Sequence, residues 1–462
     1  MSNFPKLVVT IAMMISLGGC ATGVNKYSSA TVSDGLEQRT GFQLPAESPI
    51  ASVILPDGIS LEQELDINEL ALIALWNNAN FKATLVDMKL AQADLEQAGL
   101  LPNPELMYSF QVDNKPFKYA LDLPIEAIWL RPMRLKVSEA DANRVNNTIQ
   151  QAGLDLIRDV RQASIDVIAL RKQQSIQDQS KSLRVEISDL TDKRLEHGDI
   201  SEPEVLLARI DASRAIQGQR RATYEVEFAE QKLLLLLGLQ GHSQSIKIKS
   251  DLYPTCKTDG LDIERVIEVA LQNRPDLLAA NSNVDSSKAK EKLSKFSWFK
   301  FLGIGDATSG NNGHTLSPAV KVTLPIFNQN QGNIHRATSE IEKAERQRQA
   351  LIQQAQTELH QQFTRYKQSC TDLNILTGQL KPMAEKALEA AKISYDKGDI
   401  SYLTMLESTK QVVDASLQEA ILNGAIYKAW AEMDRSSGNQ LSKINQTDQL
   451  SGLTETNQSK DK

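Results

Sequence analysis

The residues that could perform acid–base, metal or phosphate chemistry are dispersed in this sequence and form no cluster. The histidines show neither a His-x-x-x-His pair nor a neighbouring cysteine group, which are the usual patterns of metal sites. The glycine-rich stretch 303–310 lacks the spacing of a dinucleotide-binding loop and opens no helical pattern. We therefore predict no catalytic residue, no metal and no cofactor, and an enzyme is the least favoured interpretation. The histidines are His197, His242, His314, His335 and His360.

The charge of the chain argues against a nucleic-acid-binding protein. The 462 residues carry a formal net charge of −7, and no lysine and arginine run resembles a phosphate-binding stripe. A nucleic-acid partner is therefore not expected. With 41% hydrophobic residues, the chain is long enough for one or two folded domains.

The N-terminal residues describe a secretory signal that ends at a cysteine. Lys6 precedes the apolar run Leu7–Leu17, which is too short to span a membrane as a stable helix, and small residues lead to Cys20. This pattern resembles the signal of bacterial lipoproteins, so residues 1–19 are predicted to be removed and Cys20 to carry lipid. Ala21 favours the outer membrane. The alternative is an ordinary signal peptide with an incidental cysteine.

The other two cysteines, Cys256 and Cys370, would then lie in an oxidising compartment. They either form a disulfide or serve as two small apolar side chains. The sequence does not fix the distance between them, so both interpretations stay open.

Short matches recur along the chain in the same order. "LDI" begins at residues 65 and 261, "LPI" at 123 and 324, and "GDIS" at 198 and 398, which gives offsets of 196, 201 and 200. A nearly constant offset indicates an internal duplication. We predict two repeats, residues 61–253 and 257–436, with the same order of elements.

Each repeat begins with an amphipathic helix and continues with alternating apolar and polar residues. The first alternation predicts a β-hairpin at 105–125, with strands of about nine residues. The second predicts a hairpin at about 296–326, with the glycine- and asparagine-rich residues 306–315 as its loop. The fold is therefore predicted to be mainly α, with four β-strands in each chain.

A very long helix follows each predicted β-hairpin. Residues 133–197 contain no proline and would span roughly 95–100 Å as a helix. After "GDIS" a second helix returns from Glu204 to Gly238, and the second repeat shows the same hairpin from about Ile334 to Met433. Helices of this length pack side by side in a bundle, a coiled coil or a tube.

The predicted strands are long enough to cross a bilayer when tilted, and their alternation is typical of a barrel wall. Membrane strands must close into a barrel because lipid cannot satisfy an open sheet edge. Four strands are too few to close. Two chains would give eight strands with a filled interior, and three chains would give twelve with room for a channel. The alternative is a soluble sheet on a helical stalk.

Four stretches resemble one protein family. They are "LPNPELMYSF" (101–110), "QNRPDLLAA" (272–280), "LPIFNQNQG" (324–332) and "SYDKGDISYLTMLES" (394–408). They are similar to TolC-like outer-membrane efflux proteins, in particular to the lipidated branches that export metals and drugs. The resemblance covers about residues 61–436. It implies a homotrimer whose helical hairpins form a periplasmic α-barrel and whose four strands per protomer complete a twelve-stranded barrel in the outer membrane.

The same resemblance implies a function and partners. The protein would be the passive exit channel of a tripartite system, docked to a periplasmic adaptor and an inner-membrane transporter of the RND type. The cargo would be drugs or metal cations, between which the sequence does not decide. The main alternative is a periplasmic coiled-coil scaffold lipoprotein without a pore, which would explain the helices but not the alternating segments.

The resemblance places the periplasmic tip of each helical hairpin at the repeated "GDIS". A glycine with positive φ suits such a turn, and the aspartate and serine that follow can cap the returning helix. The tips are predicted to form the closed entrance and the adaptor-docking surface. Their residues are Gly198, Asp199, Ile200, Ser201, Gly398, Asp399, Ile400 and Ser401.

In the family pattern, acidic residues face the pore six and nine positions after the second tip glycine. Thr404 and Glu407 occupy these positions here, and Glu204 is the first-repeat counterpart of Thr404. We predict that these three residues line a constriction, in which three copies of Glu407 would form a cation-attracting ring. A solvated helix face is the alternative. Pro382 should interrupt the second ascending helix, and we infer that the second hairpin moves on opening.

The two ends of the chain differ from its body. Residues 20–60 are polar with several prolines and glycines, and they are predicted to run as a lipid-anchored tether. Residues 437–462 are predicted to be a disordered polar tail.

Overall fold

The computed structural model describes residues 27–45, 53–110, 118–241, 245–249, 256, 261–297, 301–310, 313–322, 324, 326–438 and 441. The helices are α1 (Ser29–Thr40), α2 (Ile67–Asn77), α3 (Ala79–Gly99), α4 (Glu126–Glu196), α5 (Glu202–Leu237), α6 (Ile263–Asn273), α7 (Pro275–Phe296), α8 (Gln331–Ile375), α9 (Lys381–Asp396) and α10 (Tyr402–Ser436). The strands are β1 (Glu105–Ser109), β2 (Lys118–Pro124), β3 (Phe301–Gly310) and β4 (Gly313–Val322). Within these ranges, no helix has both the length and the apolar run that a membrane span requires.

The chain divides into two compact units, each built from three segments. The first unit comprises Met1–Val32, Leu85–Asn146 and Ala279–Arg346, and it contains the four strands. The second unit comprises Ser33–Thr84, Asn147–Leu278 and Gln347–Lys462, and it contains both helical turns at "GDIS". Each unit therefore takes segments from both predicted repeats.

The strands of the first unit form one antiparallel sheet in the order β1-β2-β3-β4. Tyr108 pairs with Tyr119 within the first hairpin, and Leu121 pairs with Gly305 across the two repeats. The sheet therefore joins the β-hairpins of both repeats, with β1 and β4 at its edges. Pro318 lies in β4, where an edge strand tolerates the missing backbone N–H.

Two predicted boundaries are wrong. Residues 306–315 were predicted to form a loop, but 306–310 belong to β3 and 313–315 to β4, because cross-strand pairing outweighs the low strand propensity of glycine. β1 and β2 lie within the hairpin predicted at 105–125, of which residues 111–117 lie outside the described residues. Helix α4 begins at Glu126 rather than after Pro132, because a proline near a helix start removes few backbone bonds.

The opening helix of each repeat is broken at one residue, which the sequence pattern did not predict. Asn78 separates α2 from α3, and Arg274 separates α6 from α7, and both have extended backbone angles. The Asn78 side chain donates to the carbonyl of Leu236 at 2.9 Å. These equivalent breaks lie 196 residues apart, which equals the offset between the two "LDI" stretches.

Cys256 and Cys370 form a disulfide, with 5.7 Å between their Cα atoms. This result selects one of the two interpretations that the sequence left open. Cys370 is buried in an apolar cluster from α6, α8 and α10, where the rings of Tyr366 and Trp430 lie 5.8 Å apart. The disulfide thereby fastens a residue between the two repeats to helix α8.

The long helices of the second unit have a definite order of neighbours. Arg171 and Arg184 of α4 form ion pairs with α5, through Glu230 and Asp211, each at 2.6 Å. On its other side, α4 meets α10, where Arg161 pairs with Asp434 at 2.6 Å. Helix α10 in turn contacts α8 and α9, through Arg435–Glu358 and Lys381–Glu419. These pairs place α4 beside both α5 and α10, and α10 beside α8 and α9.

The interruption predicted at Pro382 is present as a π-helical turn. Leu376–Leu380 form this turn between α8 and α9, and Pro382 lies in the first turn of α9. Leu376 is buried, and Lys381 pairs with Glu419 of α10 at 2.6 Å. Leu376 and Lys381 are five residues apart. In an α-helix, residues three or four apart share a face, whereas the π-helical turn brings these two residues to the same side, towards α10.

The predicted tether contains a packed helix. In α1, Leu36 is fully buried, and the Arg39 guanidinium donates to Gln150 at 3.2 Å and to the carbonyl of Gly438 at 2.9 Å. In the predicted tail, Leu441 is buried and its backbone N–H donates to Asp434. The rest of the tail beyond Leu441 lies outside the described residues, as do the predicted signal 1–19 and Cys20.

Candidate functional site at the helical hairpin tips

The first hairpin turns at Gly198 by a Schellman motif. Gly198 has φ of 78°, which glycine adopts without the clash that a Cβ would cause. Its backbone N–H donates to the carbonyl of Leu195, and that of Asp199 donates to the carbonyl of Arg194, both at 2.9 Å. These bonds satisfy the last carbonyls of α4 and reverse the chain over five residues.

The second hairpin repeats this geometry. Gly398 has φ of 82° and its N–H donates to the carbonyl of Tyr395 at 3.0 Å. The N–H of Asp399 donates to the carbonyl of Ser394 at 2.9 Å. No described atom lies within 4 Å of a Cβ built on Gly198 or Gly398, so both tips are open on this side.

The two returning helices are capped differently. Ser201 is the N-cap of α5, and the Glu204 carboxylate accepts a hydrogen bond from the Ser201 backbone N–H at 3.3 Å. Ser401 is the N-cap of α10, and its hydroxyl lies 3.3 Å from that of Thr404. Glu204 therefore stabilises the start of its own helix. Thr404, at the equivalent position of the second repeat, also contacts the N-cap serine of its helix.

Glu407 lies on an exposed face of α10. Thr404 is on the same face, one turn earlier, whereas Tyr402, Met405 and Thr409 are buried on the opposite side. The Glu407 carboxylate accepts a hydrogen bond from Gln411 at 2.9 Å. Thr404 and Glu407 are thus presented together by α10, while Glu204 belongs to α5.

Side chains from both repeats pack together just above the tips. An apolar tip cluster joins one residue of α4 and one of α5 to residues of α9 and α10. At its edge, the Arg194 guanidinium donates to the backbone carbonyl of Tyr395 at 3.1 Å and lies 4.5 Å from the centre of its ring. The two tips are therefore held side by side. The tip cluster consists of Ile187, Ala208, Ala391, Tyr395, Tyr402 and Met405.

A buried polar group lies beside the tip cluster. Asp211 of α5 accepts from Arg184 at 2.6 Å, and the hydroxyl of Tyr402 lies 3.5 Å from its second carboxylate oxygen. Burial raises the pKa of the Tyr402 phenol, and the negative charge of Asp211 raises it further. The neutral phenol is therefore the stable form at physiological pH, and it links the two hairpins.

The sequence pattern did not predict a role for Arg184, Asp211 or Tyr395. One signal was available, because Asp211 interrupts a regularly spaced set of small residues on α5, namely Ala208, Ala212 and Ala215. A carboxylate at such a position needs a buried partner. Its partner could not be identified from the sequence, since Arg184 belongs to another helix.

Metal ligands are not concentrated at the tips. Among the described residues, no three His, Cys, Asp or Glu side chains are placed so that they could hold a metal ion. The arrangement offers two exposed turns, two cap structures and an exposed carboxylate, all suited to contacts with another macromolecule or to electrostatic interaction with a passing ion.

The family model for outer membrane efflux proteins matches residues 70–239 and 266–439. The chain belongs to this family of outer-membrane efflux channels. The resemblance noted in the sequence is confirmed, and so is the prediction that the protein is not an enzyme.

Individual relatives agree with this assignment. The cobalt-zinc-cadmium resistance protein CzcC of Cupriavidus metallidurans is 22% identical over 374 residues, which is 79% of this chain and 88% of that protein. The Campylobacter jejuni CmeC outer membrane channel has a TM-score of 0.69 and 16% identity, covering 83% of this chain and 88% of that one. A crystal structure of CusC has a TM-score of 0.67 and 17% identity, covering 87% and 99%.

Proposed function

We propose that this protein is the outer-membrane exit channel of a tripartite efflux system. It acts as a lipid-anchored homotrimer, conducts its cargo passively, and receives that cargo through a periplasmic adaptor from an inner-membrane transporter of the RND type. The observation that carries the proposal is a four-stranded sheet, with two edges that no other described strand pairs, in a chain of the outer membrane efflux family.

The edges of the sheet support the trimer. An unpaired edge strand exposes a row of backbone donors and acceptors, which a lipid environment cannot satisfy. Closure with further copies of the chain removes both edges at once. Three copies of the four strands give a twelve-stranded barrel, which is wide enough for a channel.

The N-terminus supports the membrane anchor. Cys20 follows a signal-like segment and small residues, so it is the proposed site of lipid attachment. Each buried CH2 of an acyl chain contributes roughly 0.8 kcal/mol, so several chains would hold the protein firmly in the outer membrane. Mass spectrometry of the N-terminal peptide from the wild type and Cys20→Ala tests this point.

The hairpin tips are proposed to receive the adaptor and to form the closed entrance. Both turns are exposed and similar in geometry, so a trimer would present six of them. Glu407 and Thr404 are proposed to line the constriction, where three Glu407 carboxylates would attract cations and repel anions. Glu204 is retained in the proposed constriction, although its carboxylate is bonded to its own helix start.

We propose divalent metal cations as cargo, with drugs as the second candidate. The name of CzcC, a cobalt-zinc-cadmium resistance protein, favours the first. The proposed Glu407 ring would favour cations of either kind. Deleting the gene and measuring growth with cobalt, zinc, cadmium or cationic drugs distinguishes the two, provided that wild-type expression restores resistance.

Conductance tests the channel itself. Purified lipidated protein in planar bilayers is expected to give cation-selective current steps, and Glu407→Gln is expected to reduce that selectivity. Trimers that resist heating in mild detergent should accompany the activity. A monomer without conductance would instead indicate a scaffold lipoprotein and would contradict the proposal.

A further inference from the structure

Two arginines join the end of α3 to the start of α4, close to the sheet. The Nε of Arg131 donates to the carbonyl of Gly99 at 2.6 Å, and a terminal nitrogen of Arg134 donates to the carbonyl of Leu100 at 3.0 Å. Both carbonyls lie at the C-terminal end of α3, where a helix has no intrahelical donors left for them. All four residues belong to the first unit.

These two bonds leave most donors of both guanidinium groups unused. An arginine has five N–H groups, and each of these two gives only one of them to a described acceptor. The Nε of Arg134 is buried and has no hydrogen-bond partner among the described residues. Within the same ranges, neither arginine forms an ion pair with a carboxylate, whereas Arg336 at the start of α8 pairs with Glu340 at 3.4 Å. Arg131 and Arg134 therefore have donors available for an anion.

Exposed apolar side chains flank the two arginines. Leu100 and Leu101 follow α3 directly and are 53% and 52% exposed, and Ile128 in the first turn of α4 is 61% exposed. Ile128 precedes Arg131 by three residues, so both lie on one face of α4. Leu100 lies beside Arg134, which donates to its carbonyl. We call this surface the sheet-end collar, and it consists of Leu100, Leu101, Ile128, Arg131 and Arg134.

The sheet-end collar lies next to the strands that are proposed to cross the outer membrane. Leu101 precedes β1 by four residues, and Ile128 follows β2 by four. Glu105 of β1 pairs with Asp122 of β2, so both connections leave the sheet at the same end. Four residues span at most roughly 13–14 Å, which places these apolar side chains close to the lipid headgroups of a bilayer that the strands cross.

We propose that the sheet-end collar binds the headgroup of an anionic phospholipid in the periplasmic leaflet of the outer membrane. This inference rests on the proposed channel and adds a lipid-binding site to it. The free donors of Arg131 and Arg134 bind the phosphate oxygens, because a planar guanidinium matches phosphate geometry. The apolar members of the collar contact the glycerol and the first acyl carbons. A zwitterionic headgroup brings an ammonium that the arginines repel, so an anionic headgroup binds more tightly.

The second repeat lacks the two arginines at the equivalent joint. The "LPI" stretches are 201 residues apart, and the same offset leads from Arg131 to Gly332 and from Arg134 to His335. Apolar exposure is retained there, since Phe327 is 92% exposed. Each chain therefore has one such site, and a trimer has three.

Native mass spectrometry of the full-length lipidated protein in detergent tests the site. The protein is titrated with phosphatidylglycerol or with phosphatidylcholine of the same acyl chains. We expect three tightly bound phosphatidylglycerol molecules for each trimer and weaker binding of phosphatidylcholine. A basic side chain near an anionic lipid surface contributes roughly fivefold in affinity, so Arg131→Gln with Arg134→Gln should weaken phosphatidylglycerol binding about 25-fold. Binding of phosphatidylcholine should change little.

Two further variants separate headgroup binding from local folding. Arg336→Gln removes an arginine that already has a carboxylate partner, and it should leave the lipid preference unchanged. Arg131→Lys with Arg134→Lys keeps both charges and should retain most of the preference. If the lysine variant loses as much preference as the glutamine variant, the arginines act only by holding the end of α3, and the proposal is overturned.

Equal affinity of the wild type for the two lipids, or an unchanged preference in the glutamine variant, also overturns the proposal. Glycerol phosphate that displaces the lipid at an equal concentration would indicate a site for free phosphate and would contradict a lipid as the occupant. In each of these cases, a trimer that conducts leaves the proposed channel intact. A wild type that is monomeric and does not conduct contradicts the channel and, with it, the lipid site.

Discussion

Replacing Arg274 by methionine should destabilise the second unit strongly. Arg274 is only 2% exposed and fits the junction between α6 and α7. Its guanidinium donates to both carboxylate oxygens of Asp276, at 3.0 and 2.6 Å, and to Glu358 at 3.2 Å. Burial lowers the pKa of Arg274, but these two carboxylates outweigh burial and raise it.

The magnitude follows from the charges that the variant leaves behind. Removing one partner of a buried ion pair costs roughly 3–5 kcal/mol, because the remaining charge is buried without compensation. The lower end applies here, since Asp276 and Glu358 are 20% and 25% exposed and Glu358 keeps Arg435 at 3.3 Å. We expect a loss of about 3 kcal/mol, which for a unit of this size lowers the melting temperature by about 5 °C.

Thermal unfolding in detergent, followed by helical circular dichroism, measures this loss. The matched control is Arg209→Met, which removes an exposed pair with Asp192 at 3.0 Å and should cost only about 0–1 kcal/mol. Adding Asp276→Asn to Arg274→Met should recover part of the loss, because Asp276 is the carboxylate that loses its arginine partner. If Arg274→Met melts no lower than Arg209→Met, the argument from buried charge is refuted.

Three further predictions concern the disulfide, the tips and the buried phenol. The Cys256–Cys370 bond joins residues 114 positions apart, so Cys256→Ser with Cys370→Ser should cost up to about 4 kcal/mol, and reducing agent should lower the melting temperature of the wild type but not of this variant. Gly198→Ala should strain the tip by about 1–2 kcal/mol and speed amide exchange at 195–200, while exchange at the intact second tip stays unchanged. The pKa of Tyr402 is raised on folding, so its contribution is complete below the unfolded value of about 10 and is lost as pH rises further. The melting temperature of the wild type should therefore fall more than that of Tyr402→Phe between about pH 9 and 11, and equal falls would contradict the burial argument.

The architecture of the helices could be predicted because it depends on local signals. The recurrence of "GDIS" marks two turns in which glycine has positive φ, and both are present at Gly198 and Gly398. Pro382 marked an interruption, and the structure has a π-helical turn directly before it. That turn itself was not predicted, because the five-residue step depends on contacts with α10.

The parts that could not be predicted depend on contacts between distant residues. Residues 306–310 and 313–315 look like a loop in isolation and become strands through pairing with each other. Arg274 was noted only within a family-like stretch, and its role appears when Glu358, 84 positions away, lies beside it. The link between Asp211 and Tyr402 spans 191 positions and joins the two repeats, so no local pattern contains both residues.

Electron cryomicroscopy of the lipidated full-length protein in lipid nanodiscs tests the channel proposal most directly. The proposal predicts three copies around one axis, with their sheets closed into a single twelve-stranded barrel inside the lipid disc. A particle with another number of copies, or one whose sheet lies outside the lipid with its edges unpaired, would contradict it.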